Sequence, residues 1–133
     1  MSDIVQKLKE HQPKHEFLIA IDSDGCAFDT MELKHKECFI PNIIKYWDLQ
    51  PVSKFAREAA EFVNLYSKWR GVNRFPALIK TFDLLQEWDM VQRRGVTIPP
   101  VPNLRRWLEN ETKLGNPVLQ KYCDEHPGEE DMQ

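Results

Sequence analysis

Residues 17–30 read FLIAIDSDGCAFDT. Five apolar residues, Phe17, Leu18, Ile19, Ala20 and Ile21, lead straight into Asp22-Ser23-Asp24-Gly25. The apolar run is short and continuous, with charged residues before it and a glycine after it. That pattern predicts a buried β-strand, because a buried helix needs about ten residues or more. The stretch therefore decides the fold class. With a strand here the chain belongs to the α/β architectures; without one it is all helix.

Outward from this run the periodicity is helical. Residues 3–11 predict a short first helix with Ile4, Val5 and Leu8 on one side, ended by Pro13. From Thr30 to about Trp47 the apolar residues Leu33, Phe39, Ile40, Ile43, Ile44 and Trp47 predict a helix that Pro41 kinks or interrupts. Ser53 is the expected N-cap of the next, with Phe55, Ala59, Phe62, Val63 and Tyr66 on one stripe and an end near Trp69. Asn73 is the expected cap of a third helix from about Pro76 to Arg93. Residues 95–102 read as a proline-rich loop. Asn103 caps a fourth helix that Gly115 stops, and residues 118–123 form a last short one. The tail HPGEEDMQ is acidic and expected to fray. After residue 21 no second convincing strand follows; Gly95-Val96-Thr97-Ile98 is the best candidate, and prolines succeed it at once. A lone strand has no partner for its backbone hydrogen bonds. Either the chain is mostly helical as it stands, or the rest of its sheet lies in other sequence.

Bulk composition narrows the function classes. The 133 residues suit one domain, with 41 % hydrophobic and 29 % charged residues and a net charge of −3. No basic face is concentrated enough to predict nucleic-acid binding. No apolar stretch approaches the roughly 20 residues of a membrane span, and the polar N-terminus lacks a signal-peptide core. Cys26, Cys38 and Cys123 are odd in number and widely spaced. A disulfide framework is not expected, and the expected location is a reducing cytoplasm.

Asp22 and Asp24 carry the chemistry. Ligands of α/β proteins gather beyond the carboxyl ends of strands, and a spacing of two in extended chain points both side chains to one side. Carboxylates held together repel, so one retains its proton or a cation sits between them. The pair could supply a nucleophile and a general acid. It could also bind Mg²⁺, which prefers oxygen ligands and keeps part of its water shell. Gly25 lets the backbone turn sharply beside them. An EF-hand calcium loop is excluded by spacing, since glycine is fourth here rather than sixth and a strand precedes. A plain turn after a strand remains the alternative, because Asp and Gly favour turns.

The wider stretch resembles the first motif of the haloacid-dehalogenase-like (HAD) hydrolase superfamily: apolar strand, Asp22-Ser23-Asp24-Gly25, then Asp29-Thr30 opening a helix. It looks most like the phosphatase and phosphomutase branches with a helical cap inserted after that motif. The resemblance implies an α/β HAD-like, Rossmann-like core represented by its first strand and followed by a mostly α-helical cap. The implied divisions are 1–29 for the start of the core, 30–125 for the cap and 126–133 for a flexible acidic tail. It also implies that Asp22 is the nucleophile forming an aspartyl-phosphate, and that Asp24 is the acid/base. Both would hold Mg²⁺, Asp24 through its backbone carbonyl. The implied substrate is a small phosphomonoester. The family further uses a Ser/Thr, a Lys/Arg and more acidic residues from later strand ends. Lys80, Lys113 and Lys121 lie in helical or loop context and match none of these positions. The expectation is thus the front of such an enzyme, completed by the remainder of the core or by another chain. The alternative is a non-catalytic helical module.

Other residues invite weaker readings. Arg70-Gly71-Val72-Asn73-Arg74 joins two helices; Arg70 and Arg74 either contact an anionic substrate or form a solvated turn. Cys26 is expected to be a small packed residue. His35 and Cys38 share a helix face but lack further ligands for a metal. Arg93-Arg94 and Arg105-Arg106 read as exposed helix charges. Trp47, Trp69, Trp88 and Trp107 are expected to pack between helices.

Overall fold

The computed structural model describes residues 3–132; the expected N-terminal and tail segments thus extend to residues 1, 2 and 133 outside the described ones. Helices dominate. They are α1 (Asp3–Lys9), α2 (Met31–Leu33), α3 (Ile40–Tyr46), α4 (Ser53–Glu61), α5 (Arg74–Glu87), α6 (Asp89–Gln92), α7 (Pro102–Asn110) and α8 (Asn116–Glu125). A π-helical turn, Lys34–Phe39, joins α2 to α3 without a break, and another, Phe62–Tyr66, extends α4. Among the described residues there is no strand; the one β-bridge, Asp24 with Phe28, is isolated.

Residues 17–21, expected as a strand, form none among the described residues. The run has no ladder partner and stands in solvent, with Phe17, Leu18, Ile19 and Ile21 exposed by 73–90 %. A strand is defined by its neighbours, and none is present to pair with it. The α1 face behaves alike: Ile4 and Leu8 are exposed. Among the described residues, the large apolar ones before residue 30 lie outside the core, which begins at Ile40.

The core belongs to residues 40–132. α5 is central, because it is apolar on more than one side. Phe75, Ala77, Phe82 and Leu85 are buried, and Leu78, Ile79 and Leu84 are packed against the core. α4 lies along it with a single stripe, Phe55, Ala56, Ala59 and Ala60, while Lys54 and Glu58 pair on the outer side. Three alanines on that stripe favour helix and permit close approach. α3 packs on α4 through Ile40 and Ile44, and α7 packs on α5 through Leu104 and Trp107.

Local chemistry explains where the helices start and bend. Asn73 caps α5 as expected, its Oδ1 accepting from the Phe75 N–H at 3.1 Å. Ser53 does not cap α4; it is already helical, and a 3₁₀ turn over Gln50–Val52, containing Pro51, delivers the chain instead. Pro41 does not end its helix. The wider π turn ahead of it hands Ile40 N–H to the His35 carbonyl, so the missing proline donor leaves the run continuous. The helix expected to reach Arg93 breaks at Trp88, whose backbone is extended (φ −85°, ψ 109°) and whose ring meets Phe55 edge-on at 5.1 Å. Gly115 stops nothing; α7 ends at Asn110, and Gly115 precedes α8 in extended conformation.

The tail, expected to fray, is anchored. Residues Glu130–Met132 form a 3₁₀ turn, Met132 is buried, and Glu129 pairs with Arg106 and accepts from the Tyr122 hydroxyl. Asp131 caps α7 in place of Asn103: its Oδ2 accepts from the N–H of Asn103 at 3.0 Å and of Leu104 at 3.3 Å. That cap holds Val101, a buried β-branched residue in the left-handed region (φ 43°) between two prolines.

Candidate functional site

The aspartates sit on a tight turn between the apolar run and α2. The Asp22 carbonyl accepts from Ala27 N–H at 3.2 Å and the Ser23 carbonyl from Phe28 N–H at 2.9 Å, two i→i+5 bonds in succession. Gly25 N–H donates to the Phe28 carbonyl at 2.8 Å and closes the turn. Gly25 has φ +73°, and a Cβ there would fall 2.7 Å from the Met31 Cγ. Glycine is required by both conformation and space. Ser23 already belongs to the turn, so the alternation of an extended chain stops at Asp22.

The two carboxylates are held differently. Asp22 is exposed, and its Oδ1 accepts from the Ser23 N–H at 2.9 Å. Asp24 reaches forward: Oδ1 accepts from the Thr30 hydroxyl at 3.0 Å and Oδ2 from the Lys34 ammonium at 2.9 Å. The Lys34 hydrogen bond, then that of Thr30, holds the Asp24 carboxyl below its ordinary range. Asp24 as it stands is a carboxylate, not an acid with a proton to give. Lys34 escaped the sequence reading. Its signal is the spacing from Thr30 to Lys34, four residues that put both on one helix face just after the turn.

A second polar cluster ties this segment to the bundle. Glu32 accepts from the Tyr66 hydroxyl at 2.7 Å and from the Lys36 ammonium at 2.9 Å, and Lys36 also lies 3.7 Å from Glu61. The Lys36 and Tyr66 hydrogen bonds lower the Glu32 carboxyl. So the helix leaving the aspartate turn is clasped to the π-helical end of α4.

Arg70 and Arg74 are both exposed, on either side of the turn between α4 and α5. Arg74 donates to the Asn116 side chain, and its guanidinium lies 4.2 Å from the Phe75 ring centre. Neither arginine makes an ion pair or hydrogen bond with Asp22 or Asp24 among the described residues. Cys26 is exposed, which corrects the expectation of packing, and all three cysteines are free thiols. His35 meets Phe39 edge-on at 5.2 Å. Burial, with the Lys34 charge adding to it, lowers its pKa and keeps the imidazole neutral at pH 7. Arg93, Arg94 and Arg106 are exposed as expected, Arg94 donating to the Pro51 carbonyl; Arg105 is half-buried and pairs with Asp83 at 2.7 Å. Trp47 and Trp107 pack as expected, on Phe82 and Phe75, each pair 5.1 Å apart; Trp69 instead lies in the turn before α5, outside the core.

Among the described residues no three His, Cys, Asp or Glu side chains gather as a metal would require. At the turn both Asp24 carboxylate oxygens are engaged by Thr30 and Lys34, while Asp22 Oδ1 accepts from the Ser23 N–H; one carboxylate is the fewest that a Mg²⁺ ion takes. No helix of the described residues is long and apolar enough to cross a membrane. Searches with family models, against curated proteins and against solved structures returned no match.

Proposed function

We propose that this chain carries the nucleophile and the helical cap of a Mg²⁺-dependent HAD-like phosphohydrolase, completed by β-strands from further sequence or another chain. The observation that carries the reading is the exposed apolar run of residues 17–21, ending in the Asp22–Gly25 turn. An apolar run standing in water, with the strand formers Phe17, Ile19 and Ile21 in it, is explained if a sheet covers it. The aspartates would then lie at a strand end.

An Asp22 oxygen would attack the phosphorus of a small phosphomonoester. The bond to the ester oxygen breaks as Asp24 gives that oxygen its proton. Asp24 then takes a proton from water, and the water attacks phosphorus, releasing phosphate and restoring Asp22. Mg²⁺, held by the Asp22 carboxylate and the Asp24 carbonyl, would reduce repulsion between the two anions. Arg70 would add positive charge for the substrate. The Asp24–Lys34 pair must open for Asp24 to take up a proton, so in this reading it is a resting contact.

In the completed enzyme, Asp22→Asn should abolish Mg²⁺-dependent turnover of p-nitrophenyl phosphate; a rate near that of the wild type overturns the nucleophile assignment. The same Asp24–Lys34 pair favours a second reading, a non-catalytic helical module whose aspartates shape a turn. Aspartyl-phosphate on the purified chain, or phosphatase activity from it, would exclude that second reading.

A further inference from the structure

A cavity of about 220 Å³ opens between the helices, lined by no residue of the aspartate turn. Phe39, Phe75 and Leu78 make its apolar wall, and Arg74, Asn42 and His35 border it. Its surroundings are unusual in three independent ways. First, both π-helical turns reach it, one through His35 and Phe39 and the other through Asn64. Pro41 accounts for the first turn; no proline lies within the second or in the nine residues after it to account for it. Such turns recur at functional sites. Second, the Arg74 guanidinium stands at its rim with no carboxylate in ion-pair range among the described residues; it donates to the neutral Asn116 side chain and lies over the Phe75 ring. Third, the imidazole of His35 stays neutral at neutral pH, so it does not itself compete with Arg74 for an anion.

We propose that this cavity is a binding site for a small amphipathic anion: a single ring or short branched chain seated against Phe39, Phe75 and Leu78, with a carboxylate on Arg74. The volume falls below the range of about 300–1,000 Å³ of drug-sized pockets, which limits the apolar body to about one ring. Charge complementarity selects the head group, because a guanidinium binds a carboxylate through paired N–H donors. The site does not depend on the chemistry of Asp22. Its test reads binding rather than turnover, so failure here and failure of the phosphohydrolase reading are separate results.

The full chain is titrated with benzoate, benzyl alcohol and acetate while backbone amide shifts are followed by NMR. Benzoate should bind with an affinity on the order of millimolar, shifting amides of His35, Asn64 and Leu78. Benzyl alcohol, which lacks the charge, and acetate, which lacks the ring, should each bind at least about tenfold more weakly. Arg74→Gln should weaken benzoate about tenfold, and the exposed Arg93→Gln should leave it unchanged. Asn42→Trp changes an exposed residue at the rim and keeps Arg74; it should block binding while the fold, checked by its amide spectrum, persists. Several results would each overturn the proposal: no benzoate binding, equal binding of benzyl alcohol, shifts mapping elsewhere, or unaltered binding by the Asn42→Trp chain. An equal loss in Arg93→Gln would reduce the effect to bulk charge and overturn it as well.

Discussion

At the scale of single residues, Lys34 governs what Asp24 can do. Its ammonium and the Thr30 hydroxyl stabilise the charged carboxylate. The Asp24 pKa is therefore lower in the folded chain than in the unfolded one. Stability from this contact is complete above the ordinary carboxyl value of about 3.9 and is lost as pH falls through the lowered one. Lys34→Met removes the first cause and leaves Thr30. The Asp24 carboxyl should then titrate at higher pH, followed by its ¹³C shift; an unmoved titration would show that the pair does not persist in solution. The residues of the turn itself were legible, because Asp, Gly and their spacing act within a few positions. Lys34 was not, since its role depends on how the helix leaves the turn.

At the scale of elements, α7 depends on a residue far along the chain. Asp131 accepts from two N–H groups that would otherwise be unpaired at the helix start. Asp131→Ala should destabilise the fold by about 1–2 kcal/mol, measured by urea unfolding. Asp131→Asn retains an accepting oxygen and should lose less. If both variants match the wild type, α7 does not rely on this cap. The helices themselves were readable from apolar spacing, and Asn73 from its position ahead of one. The cap of α7 was assigned to Asn103 because local rules look only at neighbours, whereas the carboxylate that does the capping lies 28 residues away. The same limit explains Trp88. Nothing in the spacing around it signals a break, and the contact with Phe55 belongs to another helix.

Across the whole molecule, apolar residues divide into two populations. Most of those from Ile40 onward build one core, while Ile4, Leu8, Phe17, Leu18 and Ile19 remain in water. Leu18→Ser and Ile19→Ser should therefore change the stability of this chain by no more than about 0.5 kcal/mol, the range of surface substitutions. They should also reduce self-association, read by light scattering. A larger loss of stability would mean that the run is buried in solution, by a second copy or by a rearranged chain. A smaller apolar surface with unchanged unfolding is the result that agrees with a bundle complete without residues 17–21.

The sequence by itself determined the helical segments, the Asn73 cap, the glycine turn and the pairing of apolar run with acidic turn. All of these arise from hydrogen bonds, sterics and side-chain periodicity over a few neighbouring residues. Only the tertiary structure decided that the run at 17–21 is uncovered, that Asp24 is bound to Lys34, that Asp131 folds back on α7, and that Arg74 borders a cavity. Each of those is a contact, or the lack of one, set by where the chain goes after the local geometry is fixed. Burial needs a partner surface, and no run of apolar residues carries its own partner with it.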